Sequence, residues 1–183
     1  MKGIILLEGP DGSGKTTLAN RLIEKHGGVY IHAEYRFKNK MPLYHAAILR
    51  KAWKLSRNQL VIIDRLHISE MIYAKVFRGG SPWPWMTKTF NMVLDMMGAC
   101  TVLCVPLSVD EGVKWFEAAR QERPEMYDDI RDVIQEYINY AIKSKNCVIY
   151  SKRDDPYKEL AIGLSYMDTI ELAIEDKLRR ARW

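Results

Sequence analysis

Five short runs of apolar, β-prone residues recur along the chain, and longer stretches of helical character separate them. The runs cover residues 4–7, 29–32, 60–63, 101–105 and 147–150. They lack the polar alternation of half-exposed strands, which indicates strands that are buried on both faces. Strands that alternate with helices predict an α/β fold, in which helices pack on both faces of a parallel sheet.

Seven helices are predicted between and after these runs. They cover residues 15–26, 42–56, 68–77, 85–97, 110–121, 127–144 and 156–178. Ser108 is predicted to cap the fifth helix, because Asp110 and Glu111 follow it in the first turn. No repeat or linker interrupts the 183 residues, so we expect a single domain.

A phosphate-binding motif lies between the first predicted strand and the first predicted helix. Residues 9–16 match G-x-x-x-x-G-K-T, and the flanking strand and helix make a chance glycine-rich turn the weaker interpretation. Its glycines let backbone N–H groups surround phosphates, and the helix end adds positive potential. We expect Lys15 to reach the β- and γ-phosphates of ATP and Thr16 to ligate Mg²⁺. The residues predicted to bind ATP are Gly9, Asp11, Gly12, Ser13, Gly14, Lys15, Thr16 and Thr17.

Two charged residues, Asp64 and Arg65, end the third predicted strand. Charges at the mouth of an apolar strand are costly to bury unless they have partners there. We expect Asp64 to hold Mg²⁺ or its water shell and Arg65 to bridge phosphates. The alternative is that Asp64 caps the next helix and Arg65 lies on the surface.

Both motifs resemble those of the thymidylate kinases and the related phage deoxynucleoside monophosphate kinases. Residues 7–17, LEGPDGSGKTT, are similar to L-E-G-x-D-G-x-G-K-T-T, and residues 64–73, DRLHISEMIY, to D-R-x-x-x-S-x-x-x-Y. The resemblance covers residues 1–80, and the remainder only by layout. It implies a three-layer P-loop kinase fold with strand order 2-3-1-4-5. It also implies transfer of the γ-phosphoryl group from ATP, with Mg²⁺, to a pyrimidine deoxynucleoside monophosphate such as dTMP or a 5-modified relative.

The resemblance further implies a role for several residues. Lys15 would stabilise the transferred phosphoryl group, and Asp11 would help to place the arginine and the acceptor around it. Arg65 would contact the acceptor phosphate. Ser69 and Tyr73, one helical turn apart, would face the acceptor nucleotide, with a partly buried helix face as the alternative.

The segment after the second strand departs from the family pattern R-E-P-G-G-T. Residues 33–38 read AEYRFK, so the glycines are missing. Glu34 matches the glutamate of the pattern, and Arg36 is displaced from the arginine position. Tyr35 and Phe37 could stack on a base or be core residues. Glu34, Arg36 and Phe37 are therefore candidates for binding the acceptor.

The lid that closes over the phosphates in this family is also altered. The matching region is residues 118–128, where Arg120 and Arg123 are the candidate catalytic arginines. An arginine from a mobile loop stabilises the charge that builds on the migrating phosphoryl group. The alternative is a pair of surface arginines that form weak ion pairs with Glu122 and Glu125.

Residues after the second motif are candidates for reading the base. Arg78 and Asn91 could donate hydrogen bonds to its edge, and Phe90, Trp83 or Trp85 could stack on its face. Aromatic side chains at helical spacing are also typical of a core. Both interpretations stay open at this stage.

Composition adds a few expectations. The formal net charge of +5 fits a polyphosphate ligand and would also tolerate DNA. Three cysteines without a Cys-x-x-Cys pair, Cys100, Cys104 and Cys147, predict buried free thiols and a reducing, cytoplasmic location. No signal peptide or membrane span is expected, because no apolar run approaches the ~20 residues that a span needs. The family resemblance suggests a homodimer packed through helices.

Three other functions are compatible with these motifs. A deoxynucleoside kinase would need a general base for a hydroxyl acceptor, and Glu34 is placed for that task. A kinase acting on a modified base in DNA would show salt-dependent DNA binding. A non-catalytic nucleotide-binding protein would keep the loop, although an intact Lys15, Thr16 and Asp64 argue against it.

Overall fold

A computed structural model describes residues 1–34, 40–120, 129–152 and 166–180, and the side chain of Arg120 lies outside that description. The five strands are β1 (Gly3–Glu8), β2 (Val29–His32), β3 (Leu60–Asp64), β4 (Cys100–Cys104) and β5 (Val148–Tyr150). The helices are α1 (Lys15–His26), α2 (Met41–Ser56), α3 (His67–Arg78), α4 (Met86–Met96), α5 (Val109–Arg120), α6 (Ile130–Lys143) and α7 (Tyr166–Arg180). The alternation of strands and helices is confirmed.

The five strands form one parallel sheet in the order β2-β3-β1-β4-β5, as expected from the resemblance. The central strand β1 pairs with β3 on one side and β4 on the other, and Leu7 is opposite both Asp64 and Val102. The backbone N–H of Arg65 donates to the Leu7 carbonyl oxygen at 2.9 Å, which extends the pairing of β1 and β3 by one residue. This register places the phosphate loop beside the Asp64-Arg65 pair.

Both faces of the three inner strands β3, β1 and β4 are buried, which explains their continuous apolar runs. The expectation of burial on both faces was wrong for the edge strands β2 and β5, which pair on one side only and are partly exposed. Alternate residues of β1 point to opposite faces, so Ile5 and Leu7 pack with α1 and α7, whereas Ile4 and Leu6 pack with α2 and α4. A third cluster joins α3, α5 and α6 around Tyr137. The result is a three-layer arrangement with helices on both faces.

Two local predictions are also confirmed. The Ser108 hydroxyl accepts the Glu111 N–H at 3.2 Å, and the Glu111 carboxylate accepts the Leu107 N–H at 2.7 Å, so the first turn of α5 is capped. All three cysteines are free thiols; Cys100 and Cys104 are buried, and Cys147 is partly buried. Within the described ranges, no helix is long and apolar enough to cross a membrane.

Candidate active site

The phosphate loop leaves β1 and enters α1 without room for side chains at Gly9 and Gly12. A Cβ atom at Gly9 would lie 2.0 Å from the Cys104 carbonyl oxygen, so only glycine permits this approach of the loop to β4. Gly14 caps α1 with a φ of +82°, in the left-handed region that glycine adopts readily. The glycine spacing in the sequence therefore reflects real constraints on the backbone.

Lys15 begins α1 and folds back over the loop. Its Nζ donates to the carbonyl oxygens of Gly9 at 3.0 Å and Pro10 at 2.7 Å, and only 6% of the residue is exposed. Burial, helped by the nearby Arg65 charge, lowers the pKa of Lys15 from 10.5 to about 8. Nζ also donates to the Ser13 hydroxyl at 3.4 Å, so its described partners are all neutral and can be exchanged for phosphate oxygens, which carry charge.

Arg65 adopts a backbone conformation that is unusual for a residue with a side chain. Its φ is +68°, a left-handed value that costs about 1–3 kcal/mol and is concentrated at functional sites. The guanidinium Nη2 donates to Asp11 Oδ1 at 2.5 Å, so the third strand and the phosphate loop are joined by an ion pair. Arg65 therefore faces the loop and not the surface, as one of the two interpretations of the motif predicted.

Tyr73 completes this cluster from helix α3. The Arg65 Cζ lies 5.3 Å from the centre of the Tyr73 ring, and the Tyr73 hydroxyl donates to Asp11 Oδ2 at 3.3 Å. Burial alone would raise the pKa of Asp11, but Arg65 and Lys15 outweigh it and lower the pKa below its usual value. The structure thus places two predicted residues, Asp11 and Tyr73, against the guanidinium of a third, Arg65.

Ser69 has a different environment from the one expected. Its hydroxyl donates to Glu8, lies 2.7 Å from the Tyr137 hydroxyl and accepts from Arg65 Nη1 at 3.3 Å. Only 7% of Ser69 is exposed. Ser69 therefore links Arg65 to the buried Glu8 and Tyr137 by hydrogen bonds. Its contact with an acceptor nucleotide stays a prediction.

Glu8 is a site residue that the sequence analysis left without a role. It is fully buried at the end of β1, where its carboxylate accepts the backbone N–H groups of Leu66 at 2.7 Å and Ser69 at 3.1 Å. These donors belong to the N-terminus of α3, where negative charge is favoured. A charged residue that closes an otherwise apolar strand was the signal that could have identified it.

Asp64 presents its two carboxylate oxygens to different surroundings. Oδ2 accepts the Tyr30 hydroxyl and lies 3.4 Å from His32 Nδ1. Oδ1 is buried and has no hydrogen-bond partner among the described residues. A buried carboxylate oxygen without a partner among the described residues suits Mg²⁺, which prefers oxygen ligands, so Asp64 fits the predicted metal site. The role of Thr16, the second residue of α1, stays a prediction.

The remaining predicted residues that bind the acceptor have protein partners. Arg78 donates to Glu70 at 2.8 Å within α3. Asn91 Oδ1 lies 2.7 Å from His67 Nε2, and its Nδ2 donates to the Tyr140 hydroxyl at 3.2 Å. The binding of an acceptor nucleotide by Arg78 and Asn91 stays a prediction.

The aromatic residues after the second motif are divided between core and surface. Phe90 is buried and stacks on His67, with ring centres 5.6 Å apart, which favours the core interpretation. Burial lowers the pKa of His67 and of His45 to about 4, so both are neutral parts of this core at neutral pH. Trp85 is half exposed, and its ring stacks on Phe90 with ring centres 6.5 Å apart.

Five predicted site residues lie at the ends of the described ranges or outside them. Glu34 is exposed, and its backbone N–H donates to the Tyr44 hydroxyl at 3.0 Å. Arg120 lies in the last turn of α5, without a described side chain. Arg36, Phe37 and Arg123 lie outside the described residues. Their roles stay predictions.

The chain resembles solved structures in its fold at low sequence identity. It matches no protein-family model and no curated protein sequence. Among solved structures, it is similar to YorR from Bacillus subtilis in complex with phosphorylated GDP, with a TM-score of 0.66, 20% identity and coverage of 94% of this chain and 95% of that one. It is also similar to a thymidylate kinase from Ehrlichia chaffeensis, with a TM-score of 0.50, 17% identity and coverage of 96% and 98%.

A deoxyadenosine kinase from M. mycoides, with the products dCMP and dCDP bound, gives a TM-score of 0.51 at 15% identity, covering 97% of this chain and 99% of that one. At such identities the likeness concerns the fold. Together with the sheet order and the phosphate loop, it defines the fold as that of the P-loop kinases.

The buried carboxyl group of Glu8 generates a prediction about stability and pH. Burial raises its pKa from 4.5 to about 7, against the opposing effects of the Ser69 hydrogen bond and the Arg65 charge. The folded protein therefore holds this proton more tightly than the unfolded chain does. The stability that it contributes is complete below pH 4.5 and is lost as the pH rises through about 7.

We expect Glu8→Gln to reduce the loss of unfolding free energy between pH 4.5 and 7, measured by urea denaturation at a series of pH values. Glu117→Gln, at an exposed position on α5, is the control and should follow the wild-type profile. A wild-type profile for Glu8→Gln would contradict the assignment.

Proposed function

We propose that the protein transfers the γ-phosphoryl group of ATP to a deoxynucleoside monophosphate. The observation that carries this proposal is the placement of Arg65 between Asp11 of the phosphate loop and Tyr73 of α3. A guanidinium group can bind a phosphate through two parallel hydrogen bonds, which fixes both its position and its orientation. An acceptor phosphate on Arg65 would lie beside the loop that holds the donor.

The donor side of the reaction relies on the phosphate loop. Lys15 would exchange the carbonyl oxygens of Gly9 and Pro10 for phosphate oxygens of ATP and stabilise the charge of the transferring group. Thr16 and Asp64 would hold Mg²⁺, which when bound neutralises charge on the phosphates. The remaining loop residues would bind the donor phosphates through their backbone N–H groups.

The acceptor side needs no general base in this proposal. A phosphate monoester is already ionised at neutral pH, so its oxygen can attack once it is aligned and its charge is balanced. Glu8 and Ser69 keep the start of α3 in place, and this in turn supports the position of Arg65. Arg120 and Arg123 are proposed to complete charge stabilisation from the lid.

A pyrimidine nucleotide such as dTMP, including 5-modified forms, is the proposed acceptor. The motifs of residues 7–17 and 64–73 support it through their resemblance to the thymidylate kinase family. The similar structures carry nucleotides, namely phosphorylated GDP in YorR, and dCMP and dCDP in the deoxyadenosine kinase. A homodimer in the cytoplasm is part of the same proposal.

The test is phosphoryl transfer from ATP to a panel of acceptors, with the products separated chromatographically. The panel holds the common and 5-modified deoxynucleoside monophosphates, the matching nucleosides and a DNA duplex. A diphosphate formed from one or two monophosphates would support the proposal and identify the base. Product formed only from nucleosides or DNA would contradict the proposed acceptor, and ATP binding without transfer would contradict the proposed catalysis.

Lys15→Ala is expected to lower turnover at least about a hundredfold, because one preorganised charge on the transferring group is lost. The variant should remain folded, since among the described residues the Lys15 Nζ donates to two carbonyl oxygens and a serine hydroxyl and forms no ion pair. Steady-state kinetics with saturating ATP and acceptor measure the effect. Lys51→Ala, an exposed lysine on α2, is the control and should keep wild-type turnover. Near-normal turnover in Lys15→Ala would rule out the assigned role.

A further inference from the structure

We propose that Tyr30 is a positioning residue for the metal site. Its hydroxyl anchors one carboxylate oxygen of Asp64, so that the other oxygen is left to bind Mg²⁺. Sequence motifs do not mark Tyr30, because it lies on β2, outside both the phosphate loop and the Asp64-Arg65 segment. The inference rests on the proposed function, since it concerns the magnesium that accompanies ATP.

The register of the sheet explains how Tyr30 reaches Asp64. In the pairing of β2 with β3, Asp64 is opposite His32, and Tyr30 is opposite Ile62. Tyr30 is therefore two residues, or about 6.6 Å, short of Asp64 along the strand direction. The long phenol ring closes this gap and brings its hydroxyl to Asp64 Oδ2. A serine or threonine at the same position would be too short.

The carboxylate is left asymmetric by this contact. An ionised carboxylate only accepts hydrogen bonds, so the Tyr30 hydroxyl is the donor to Oδ2. Oδ1 remains buried without a hydrogen-bond partner among the described residues. Leaving a buried acceptor unpaired is destabilising unless a ligand satisfies it. His32 Nδ1 lies 3.4 Å from the same Oδ2, so Tyr30 and His32 both face this oxygen, and Oδ1 is the one left for a cation.

Tyr30 connects two strands at the predicted metal site. Its hydroxyl, from β2, holds the carboxylate of Asp64 at the end of β3. Residues that orient metal ligands in this way commonly change metal affinity by about 10–100-fold when they are removed.

The test removes the hydroxyl group and keeps the ring. In Tyr30→Phe, we expect the Mg²⁺ concentration needed for half-maximal binding of β,γ-imido ATP to rise about tenfold or more. Binding of the nucleotide without metal should be unchanged, because Tyr30 is not assigned a contact with phosphate. Calorimetry measures nucleotide binding, and the electron paramagnetic resonance signal of free Mn²⁺ measures metal binding directly.

Two further variants distinguish positioning from a general structural effect. Tyr140→Phe removes a phenol hydroxyl that accepts from Asn91, and it should leave the Mg²⁺ requirement at the wild-type value. In an Asp64→Asn background, Tyr30→Phe should have little further effect on metal binding, because Tyr30 acts through Asp64. Thermal unfolding of each variant confirms that it is folded.

An unchanged or lower Mg²⁺ requirement in Tyr30→Phe would overturn the proposal, and so would full additivity with Asp64→Asn. If the wild-type protein bound β,γ-imido ATP with no dependence on Mg²⁺, both the proposed metal site and the proposed role of Tyr30 would be wrong. Failure of the proposed acceptor is tested separately by the acceptor panel, because this assay contains no acceptor.

Discussion

The ion pair between Arg65 and Asp11 is the interaction on which the rest of the site depends. A guanidinium that is largely removed from water needs a partner, because an unpaired buried charge is strongly destabilising. Asp11 supplies that partner from the phosphate loop, at 2.5 Å, and Arg65 makes this contact from a left-handed backbone. The strained backbone of Arg65 and the negative charge of the loop thus meet in one ion pair.

Residues of the sheet and of α6 fix the segment that follows Arg65. Glu8 ends the central strand and accepts two backbone N–H groups from the start of α3, so the strand that leads into the loop also fixes the helix that follows Arg65. Tyr137 of α6 reaches the same cluster through Ser69. The loop, the strained arginine and the helix therefore form one connected unit, which can align a donor and an acceptor without large movement.

The strands and the phosphate loop could be predicted from sequence because they depend on local patterns, and the strand order followed from the family resemblance. Apolar runs identified the strands to within about two residues, and glycine spacing identified the loop. The placement of Tyr30 could not be predicted, because it depends on the register between β2 and β3. The placement of Ser69 depends on its contact with Glu8, and a contact between distant residues leaves no local pattern in the sequence. Phe90 was ambiguous for a similar reason: only packing against His67 distinguishes a core ring from a base platform.

The central claim, that Arg65 binds the phosphate of the acceptor, is tested most directly by a binding cycle. Calorimetry would measure dTMP and thymidine binding to the wild-type protein and to Arg65→Gln, each with β,γ-imido ATP and Mg²⁺ present. The account predicts that Arg65→Gln weakens dTMP binding by at least about tenfold, or about 1.4 kcal/mol, and leaves thymidine binding nearly unchanged. An equal loss for both ligands, or no loss for dTMP, would contradict it.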